Sequence, residues 1–293
     1  MGVHTHDDFD WSARLVELRR RDAIAAEAYR STAGRLVARL KPGATVVDIG
    51  SGAGGMAAHL GLALRARGGG RLVLVDAVAE LLDAATDHVR TALSGPGATV
   101  TVDTVLGDAA SDQLGNQVPA ADLVWASAVV HHLRDQQEGV NRLTGLLAPG
   151  GWLALAEDGL GTQCLPWDLG VGGPGLIDRV MAARKEWFAT MRADIPGSVR
   201  LTVGWTRSLT DAGLQDVTAF SYLIDHPAPV TDDVRSAVVT WLEFLAEASM
   251  DRLAEDDQAA LARLLDPADS AFVGARDDLF YLAAATVNLG RRV

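Results

Sequence analysis

The chain has 293 residues, 48% of them hydrophobic, which is enough for one large domain or for a core with a smaller elaboration. Asp and Glu number 38 against 26 Lys and Arg, and the net charge of −12 argues against nucleic acid as a partner. The single cysteine excludes internal disulfides and cysteine-based zinc clusters, and we expect no metal site. Because the sequence has no apolar run of about eighteen residues and no apolar signal region, we expect a cytoplasmic protein with no membrane partner.

The amino-terminal segment, residues 1–40, is predicted to be helical. Apolar residues recur at approximately helical spacing between Trp11 and Leu40, with arginines between them, and this pattern favours two helices. Lys41-Pro42-Gly43 ends the segment.

Short β-rich runs alternate with helix-length stretches from Ala44 onwards, a pattern typical of a parallel sheet. The predicted strands are about 45–49, 71–76, 99–105 and 122–127, with a turn and a fifth strand within 147–158. The sequence therefore predicts a doubly wound, mostly parallel α/β core over residues 41–158.

A glycine-rich loop follows the first predicted strand, and its glycines let the backbone turn tightly and approach a ligand. The candidate ligand-binding positions in this loop are Gly50, Ser51, Gly52 and Gly54. We expect a helix to begin near Ala53 and to point free N–H groups at the ligand. The loop fits two templates, G-x-G-x-G ending at Gly54 and the dinucleotide pattern G-x-G-x-x-G ending at Gly55.

Asp48 favours the first template. It lies inside the strand, two residues before the first glycine, where a dinucleotide fold usually has an apolar residue. A carboxylate at this position needs a cation. The ammonium group of a methionine moiety would satisfy it, whereas a pyrophosphate would be repelled.

The run from Asp48 to Gly52 resembles the first motif, D-x-G-x-G, of the class I S-adenosylmethionine-dependent methyltransferases. Pro149-Gly150-Gly151, before the fifth strand, is similar to a second hallmark of that family. The resemblance covers about Lys41 to Asp158. It implies a Rossmann-like fold with an antiparallel C-terminal hairpin, S-adenosylmethionine as cofactor and S-adenosylhomocysteine as product.

Further candidate cofactor contacts follow the second, third and fourth strands: Asp76, Ala77, Asp108, Ala109 and Ser127. Asp76 lies 26 positions beyond Gly50, at the end of the neighbouring strand, where a carboxylate can accept hydrogen bonds from both ribose hydroxyls. It could also cap the next helix. The resemblance implies that Asp108 binds the adenine amino group, although a turn residue is the alternative.

The candidate catalytic residues follow the fourth and fifth strands: His131, His132, Glu157 and Asp158. Methyl transfer from a sulfonium needs a positioned acceptor and, where that acceptor is protonated, a base. A histidine could take a hydroxyl or phenol proton while a carboxylate holds the ring in the useful tautomer. Alternatively, a histidine only packs beside the cofactor, and Glu157 orients the substrate.

The sequence changes character after Asp158. Residues 159–205 are rich in glycine, proline and tryptophan, and we expect them to form a cap inserted over the substrate site. Aromatic side chains there could line an apolar acceptor pocket or belong to an ordinary core; they are Trp167, Trp187 and Trp205. Residues 206–293 are expected to complete the core, with a helical stretch at 231–265 and a closing strand at 278–287.

The arginine- and alanine-rich sequence is similar to those of actinobacterial small-molecule methyltransferases. We therefore expect a secondary-metabolite acceptor, methylated on oxygen rather than on carbon or nitrogen, and we allow for a homodimer. Three alternatives stay open. The first is an enzyme of this fold that uses the cofactor for cyclisation, hydroxylation or decarboxylation. The others are a nicotinamide-dependent oxidoreductase and a noncatalytic binding protein.

Overall fold

The computed structural model describes residues 10–11 and 14–293, except for the side chain of Asp158. The helices and strands, in chain order, are α1 (Leu15–Val37), β1 (Thr45–Ile49), α2 (Gly55–Ala66), β2 (Gly70–Asp76), α3 (Ala79–Ala92), β3 (Val100–Leu106), α4 (Leu114–Gln117), β4 (Ala121–Ser127), α5 (Gln136–Gly145), β5 (Leu147–Gln163), α6 (Leu176–Asp194), α7 (Trp205–Asp211), β6 (Gln215–His226), α8 (Asp232–Ser249), α9 (Glu255–Leu265) and β7 (Tyr281–Arg291). Single 3₁₀ turns cover Val130–His132, Met250–Arg252 and Val273–Ala275.

The seven strands form one sheet in the order β3-β2-β1-β4-β5-β7-β6. The first five strands along the chain pair in parallel. At the amino end of β5, Gly150 N–H donates to the Arg292 carbonyl and Arg292 N–H donates to the Gly151 carbonyl, as in an antiparallel pair. The predicted α/β sheet with antiparallel C-terminal strands is confirmed. The strand order reverses between β1 and β4, which is where ligands bind in open parallel sheets.

Helices cover both faces of the sheet because its central strands are apolar on both sides. On one face, Val46 and Leu74 pack with buried residues of α1, α2 and α3. On the other face, Val47 and Val73 pack with buried residues of α4, α5 and α7. Adjacent residues of each strand therefore serve opposite cores, and the strands are held from both sides.

The amino-terminal segment forms one helix, α1, so the expectation of two helices was wrong. No proline interrupts residues 15–37, and the one glycine, Gly34, lies near the carboxyl end of the helix. A single glycine weakens a helix by about 1 kcal/mol, which burial of the Leu36 and Val37 side chains offsets.

Two strand boundaries also differ from the sequence-based expectation. β5 continues past Asp158 to Gln163, although glycines at 159 and 161 weaken a strand. The last strand begins at Tyr281 and ends at Arg291, a few residues later than expected, because its carboxyl end pairs beside Gly150 and Gly151. The helical stretch expected at 231–265 is confirmed as α8 and α9.

The chain divides into two compact units. Unit 1 contains Met1–Gly159, Ile195–Tyr222 and Ala285–Val293, and unit 2 contains Leu160–Asp194 and Leu223–Ala284. The four segments expected from the sequence, 1–40, 41–158, 159–205 and 206–293, stay a prediction. No helix among the described residues combines the length and the apolar character needed to cross a membrane.

Inside unit 2, charged side chains join the helices to the loops around them. Arg179 on α6 forms a two-bonded ion pair with Asp257 on α9, at 2.7 and 2.8 Å. The same guanidinium donates to the carbonyls of Gly173 and Pro174. The Arg184 guanidinium lies 4.7 Å from the ring centre of Phe244, which adds a cation–π contact between α6 and α8.

Replacement of Gly54 should destabilise unit 1 far more than replacement of Gly43. Both glycines have left-handed backbones, at φ 87° and 78°. A Cβ at Gly54 would lie 2.8 Å from the Ala85 Cα atom, whereas one at Gly43 would meet nothing within 4 Å. We expect Gly54→Ala to lower the free energy of unfolding by about 2 to 4 kcal/mol and Gly43→Ala by about 1 kcal/mol. Urea denaturation without ligand measures both, and equal losses would contradict the steric explanation.

Candidate cofactor and active site

The glycine loop is held by hydrogen bonds to the end of β2. The backbone N–H groups of Gly50 and Ser51 both donate to the Val75 carbonyl, at 2.8 and 3.0 Å. The N–H of Gly52 donates to Asp76 Oδ2 at 2.9 Å. Gly50 and Gly52 have left-handed φ values of 68° and 53°, which glycine adopts without strain. The loop is thus fixed against the neighbouring strand.

The start of α2 is capped by a carboxylate from another helix. Gly54 N–H donates to the Ser51 carbonyl, and α2 begins at Gly55, whose N–H donates to Asp22 Oδ2 at 3.0 Å. The helix thus begins within two residues of the expected start near Ala53, and its first N–H is paired with Asp22. The sequence analysis missed Asp22. The one sequence feature that could have indicated this contact is the glycine at position 55. In the structure, a Cβ there would lie 2.3 Å from Asp22 Cγ.

These contacts disfavour a dinucleotide cofactor. A pyrophosphate binds through unpaired N–H groups at a helix start, in a field favourable to anions. Here five N–H groups of the loop and helix start donate within the protein, those of Gly50, Ser51, Gly52, Gly54 and Gly55. Asp22 also places a carboxylate at the helix start, and this would repel a phosphate.

Asp48 is a buried carboxylate that suits a cationic ligand. It is 3% exposed, and it lies in β1 beside Leu74 of β2 and Trp125 of β4. Among the described residues it forms no ion pair. Burial, and then the charges of Asp76 and Asp22, raise the pKa of Asp48 to about 8. A ligand ammonium group would relieve this cost.

Ser51 gives a second sign of a polar ligand. Its side chain is 8% exposed, and its hydroxyl oxygen has no hydrogen-bond partner among the described residues. A buried hydroxyl normally has a partner, which a ligand atom would provide. The glycine loop, Asp48 and Ser51 therefore fit the methionine part of an S-adenosylmethionine molecule.

Asp76 organises the loop and keeps the capacity to bind a ribose. Its Oδ2 accepts from Gly52 N–H and its Oδ1 accepts from Val78 N–H at 3.0 Å, just before α3. Burial raises its pKa, and these backbone bonds oppose the rise. Each oxygen has a further lone pair that a ribose hydroxyl could use. Asp76 does not cap α3, whose N-cap is Val78, and its ribose contact stays a prediction. The exposed Ala77 follows it.

Asp108 and Ser127 lie after β3 and at the end of β4. Asp108 Oδ1 accepts from Ala110 N–H at 2.7 Å, which is the turn role weighed from the sequence. The neighbouring Gly107 N–H donates to the Asp76 carbonyl at 2.9 Å and joins this turn to β2. Ala109 is buried, and Asp108 and Ser127 are half-buried. Their contacts with adenine and cofactor stay predictions.

The structure brings His131 and Glu157 together. The Glu157 side chain is 0% exposed, and its Oε2 lies 2.6 Å from His131 Nδ1. Its Oε1 accepts from the N–H groups of Val129 and Val130, at 3.0 and 2.7 Å. This carboxylate, within β5, therefore holds both the histidine ring and the turn that carries it.

The remaining predicted residues are distributed over both units. The ring of His132 lies against that of His131, with 3.9 Å between centres, whereas the side chain of Asp158 lies outside the described residues. Trp205 is 7% exposed and packs in the core of unit 1, and its contact with an acceptor stays a prediction. Trp167, 68% exposed, and the half-buried Trp187 belong to unit 2.

Residues 47–153 match the family model described as "Methyltransferase domain". Among solved structures, a Bacillus halodurans protein proposed to be a methyltransferase is 15% identical, with 90% of this chain and 98% of that chain covered and a TM-score of 0.49. The YcgJ protein of Bacillus subtilis is 16% identical, with 91% and 99% covered and a TM-score of 0.48. Phosphoethanolamine N-methyltransferase 2 of Haemonchus contortus, in complex with S-adenosyl-L-methionine, is 16% identical, with 89% and 52% covered and a TM-score of 0.45. No curated protein matches the chain.

The family match and the site geometry agree on the class of protein. Residues 47–153, which contain the glycine loop and the acidic ends of β1 and β2, match a methyltransferase domain and carry the motif that resembles the class I S-adenosylmethionine-dependent enzymes. The cofactor is S-adenosylmethionine, as the resemblance of the first motif implied.

Cofactor binding near pH 7 should release up to about one proton. Because the pKa of Asp48 is about 8 without a cation, its carboxyl is mostly protonated at pH 7. The ligand ammonium group favours the ionised form, so affinity should rise as pH increases from 6 to 8. Calorimetric titration with S-adenosylhomocysteine in phosphate and in Tris buffer measures the proton from the difference in heat. Equal heats, corrected for ligand ionisation, would contradict this assignment.

Asp48→Asn should stabilise the ligand-free protein at neutral pH while it abolishes cofactor binding. The pKa of Asp48 is about 8 in the folded protein and 3.8 in the unfolded chain. The contribution of Asp48 to stability is therefore fully present below pH 3.8 and is lost as pH rises towards 8, where the buried carboxyl must ionise. We expect a gain of about 2 kcal/mol at pH 8 relative to pH 4. Denaturant titrations at both pH values check it, with the exposed Asp87→Asn on α3 as the control. If Asp48→Asn and Asp87→Asn gained the same unfolding free energy between pH 4 and pH 8, the assignment of a buried, unfavourable charge to Asp48 would be contradicted.

Proposed function

We propose that this protein methylates an oxygen atom, a hydroxyl or a phenol, of a small-molecule acceptor, and that His131 is the base. The contact between His131 and Glu157 carries the proposal. His131 follows β4, and Glu157 lies in β5 directly after Ala156, which pairs with Ser127 at the end of β4. β4 and β5 follow β1 across the sheet, at the edge where the cofactor loop begins. A base at this edge serves an acceptor that must lose a proton.

Glu157 supports this role by selecting the tautomer of His131. The carboxylate beside Nδ1 favours the tautomer that carries its proton on Nδ1, so the basic lone pair is on Nε2. When Nε2 takes the acceptor proton, the negative charge of Glu157 stabilises the imidazolium. The two backbone N–H donors to Glu157, from Val129 and Val130, keep its second oxygen paired.

The other residues divide the remaining work. S-adenosylmethionine, when bound, supplies a methyl group on a sulfonium that is its own leaving group. Asp48, Asp76 and Asp108 would hold the ammonium, ribose and adenine groups. His132 would pack against His131 and limit its motion. Positioning of the acceptor then accounts for most of the acceleration that the protein must provide.

Charge and aromatic residues support a small acceptor. The net charge of −12 disfavours a nucleic acid, which needs cationic surface. Trp167 and Trp187 stay the aromatic side chains that we propose as acceptor contacts. A secondary metabolite with a phenol or hydroxyl group is the acceptor class that we propose, in a cytoplasmic enzyme.

Binding and product analysis test this function in that order. Calorimetry compares S-adenosylmethionine and S-adenosylhomocysteine with NADH and NADPH as controls, and we expect micromolar binding of the adenosyl ligands alone. A panel of phenols and alcohols is then incubated with the protein and S-adenosylmethionine. Mass spectrometry should find a product that gains one methyl group. Acceptors that are converted without such a gain would point instead to cyclisation, hydroxylation or decarboxylation.

Loss of the His131 side chain should slow turnover without weakening the cofactor. We expect His131→Ala to lower kcat by about 10² to 10⁴-fold, because removal of a general base has effects of that size. Glu157→Gln should also lower kcat, since an amide does not stabilise the imidazolium. Initial rates across pH with the converted acceptor measure this, and His88→Ala, an exposed histidine on α3, is the control. A kcat of His131→Ala within threefold of the wild type would exclude His131 as the base.

A further inference from the structure

The contact between Asp22 and Gly55 joins the amino-terminal helix to the cofactor loop. Asp22 lies on α1, 33 residues before the peptide whose N–H it accepts. Gly55 is the first residue of α2, directly after the glycine loop. A side chain at position 55 would collide with Asp22, so this glycine permits the approach of α1. The contact therefore depends on both residue types.

Asp22 supplies a cap that α2 does not have in its own sequence. The residue before α2, Gly54, has no side chain that could accept a hydrogen bond from the first turn. A carboxylate at that position binds the exposed N–H and interacts favourably with the positive end of the helix dipole. Asp22 performs this capping role from a different helix.

Asp22 lies on α1 just before the residues that pack in the core. All the buried residues of α1 follow it, from Ile24 to Val37. The residues before it, from Leu15 to Arg21, are half-buried or exposed. Asp22 thus forms its hydrogen bond to α2 at the point where the buried part of α1 begins.

The charge of Asp22 acts on Asp48, the residue expected to bind the ligand cation. Burial raises the pKa of Asp22 to about 6, and Arg21 and the Gly55 N–H oppose the rise, so Asp22 is mostly ionised at pH 7. From β1, the charge of Asp22 contributes to the raised pKa of Asp48. From β6, it contributes to the raised pKa of Tyr222, whose ring meets that of Tyr29 on α1. Ionised Asp22 therefore adds negative potential beside the residue expected to bind the ligand cation.

We propose that Asp22 is a positioning residue for cofactor binding, which holds the glycine loop through Gly55 and adds negative charge to the cation site. The inference rests on the cofactor-dependent function proposed above. It explains why an acidic side chain stands where a pyrophosphate-binding loop would present unpaired N–H groups. It also gives α1 a role in the affinity for the cofactor, beyond its contribution to the core.

Three variants of α1 separate this role from simple packing. Asp22→Ala removes the hydrogen bond and the charge, and Asp22→Asn keeps an oxygen that can accept from Gly55 N–H. Glu27→Ala is the matched control, because Glu27 is an exposed acid of α1 that pairs only at the surface with Arg30. For each, calorimetry gives Kd for S-adenosylmethionine and S-adenosylhomocysteine between pH 5 and pH 8. Hydrogen exchange of the peptide that contains Gly55 is measured without ligand.

We expect Asp22→Ala to weaken both ligands about tenfold at pH 7 and to accelerate exchange at Gly55. Asp22→Asn should restore the exchange but only part of the affinity, because its amide oxygen accepts from Gly55 N–H but carries no charge. In the wild type, affinity should also fall below about pH 6 as Asp22 protonates, and Asp22→Asn should lack this limb. A folded Asp22→Ala protein with the Kd and exchange of the Glu27→Ala control would overturn the positioning role alone. Absence of adenosyl-ligand binding by the wild type would overturn the proposed function, and this inference with it.

Discussion

The structure depends on the burial of carboxylates where the strands of the parallel sheet end. Asp48 and Asp76 end or nearly end β1 and β2, and α1 adds Asp22 on the same side of the sheet. Burial of like charges is unfavourable, and it persists only when hydrogen bonds or a cation compensate. Asp76 and Asp22 have backbone donors, whereas a ligand cation is the natural partner for Asp48. The unfavourable charge is thus concentrated where binding can relieve it.

The buried carboxylates also explain why a glycine loop that fits two sequence templates favours a cationic cofactor over a dinucleotide. Glycines let the chain turn, but the templates differ in what the N–H groups do afterwards. Here the N–H groups of Gly50, Ser51, Gly52, Gly54 and Gly55 donate to Val75, Asp76, Ser51 and Asp22, so these five donors are already paired within the protein. A ligand held by carboxylates and by side-chain oxygen fits such a loop better than one held by amides.

Glu157 has an equivalent role on the catalytic side. The residue after β4, Ala128, adopts a left-handed backbone with φ 55°, which is unfavourable for a residue with a side chain. Its N–H donates to the Ala156 carbonyl, and the next two N–H groups donate to Glu157. These bonds offset the strain and present His131 at the end of the strand. One buried acid thereby determines both the path of the chain and the orientation of the ring.

The sequence by itself determined the sheet, the glycine loop and the acids at the strand ends, because these depend on residues close together in the chain. Hydrophobic period and turn residues encode strands, and Asp48, Asp76 and Glu157 lie within those strands. Only the tertiary structure decided that α1 is one helix, that Trp205 belongs to the core, and that Asp22 caps α2. These results depend on packing between distant segments, which sequence spacing does not encode. The use of the loop N–H groups was likewise decided in three dimensions, since a glycine pattern specifies how the chain turns but not where its donors point.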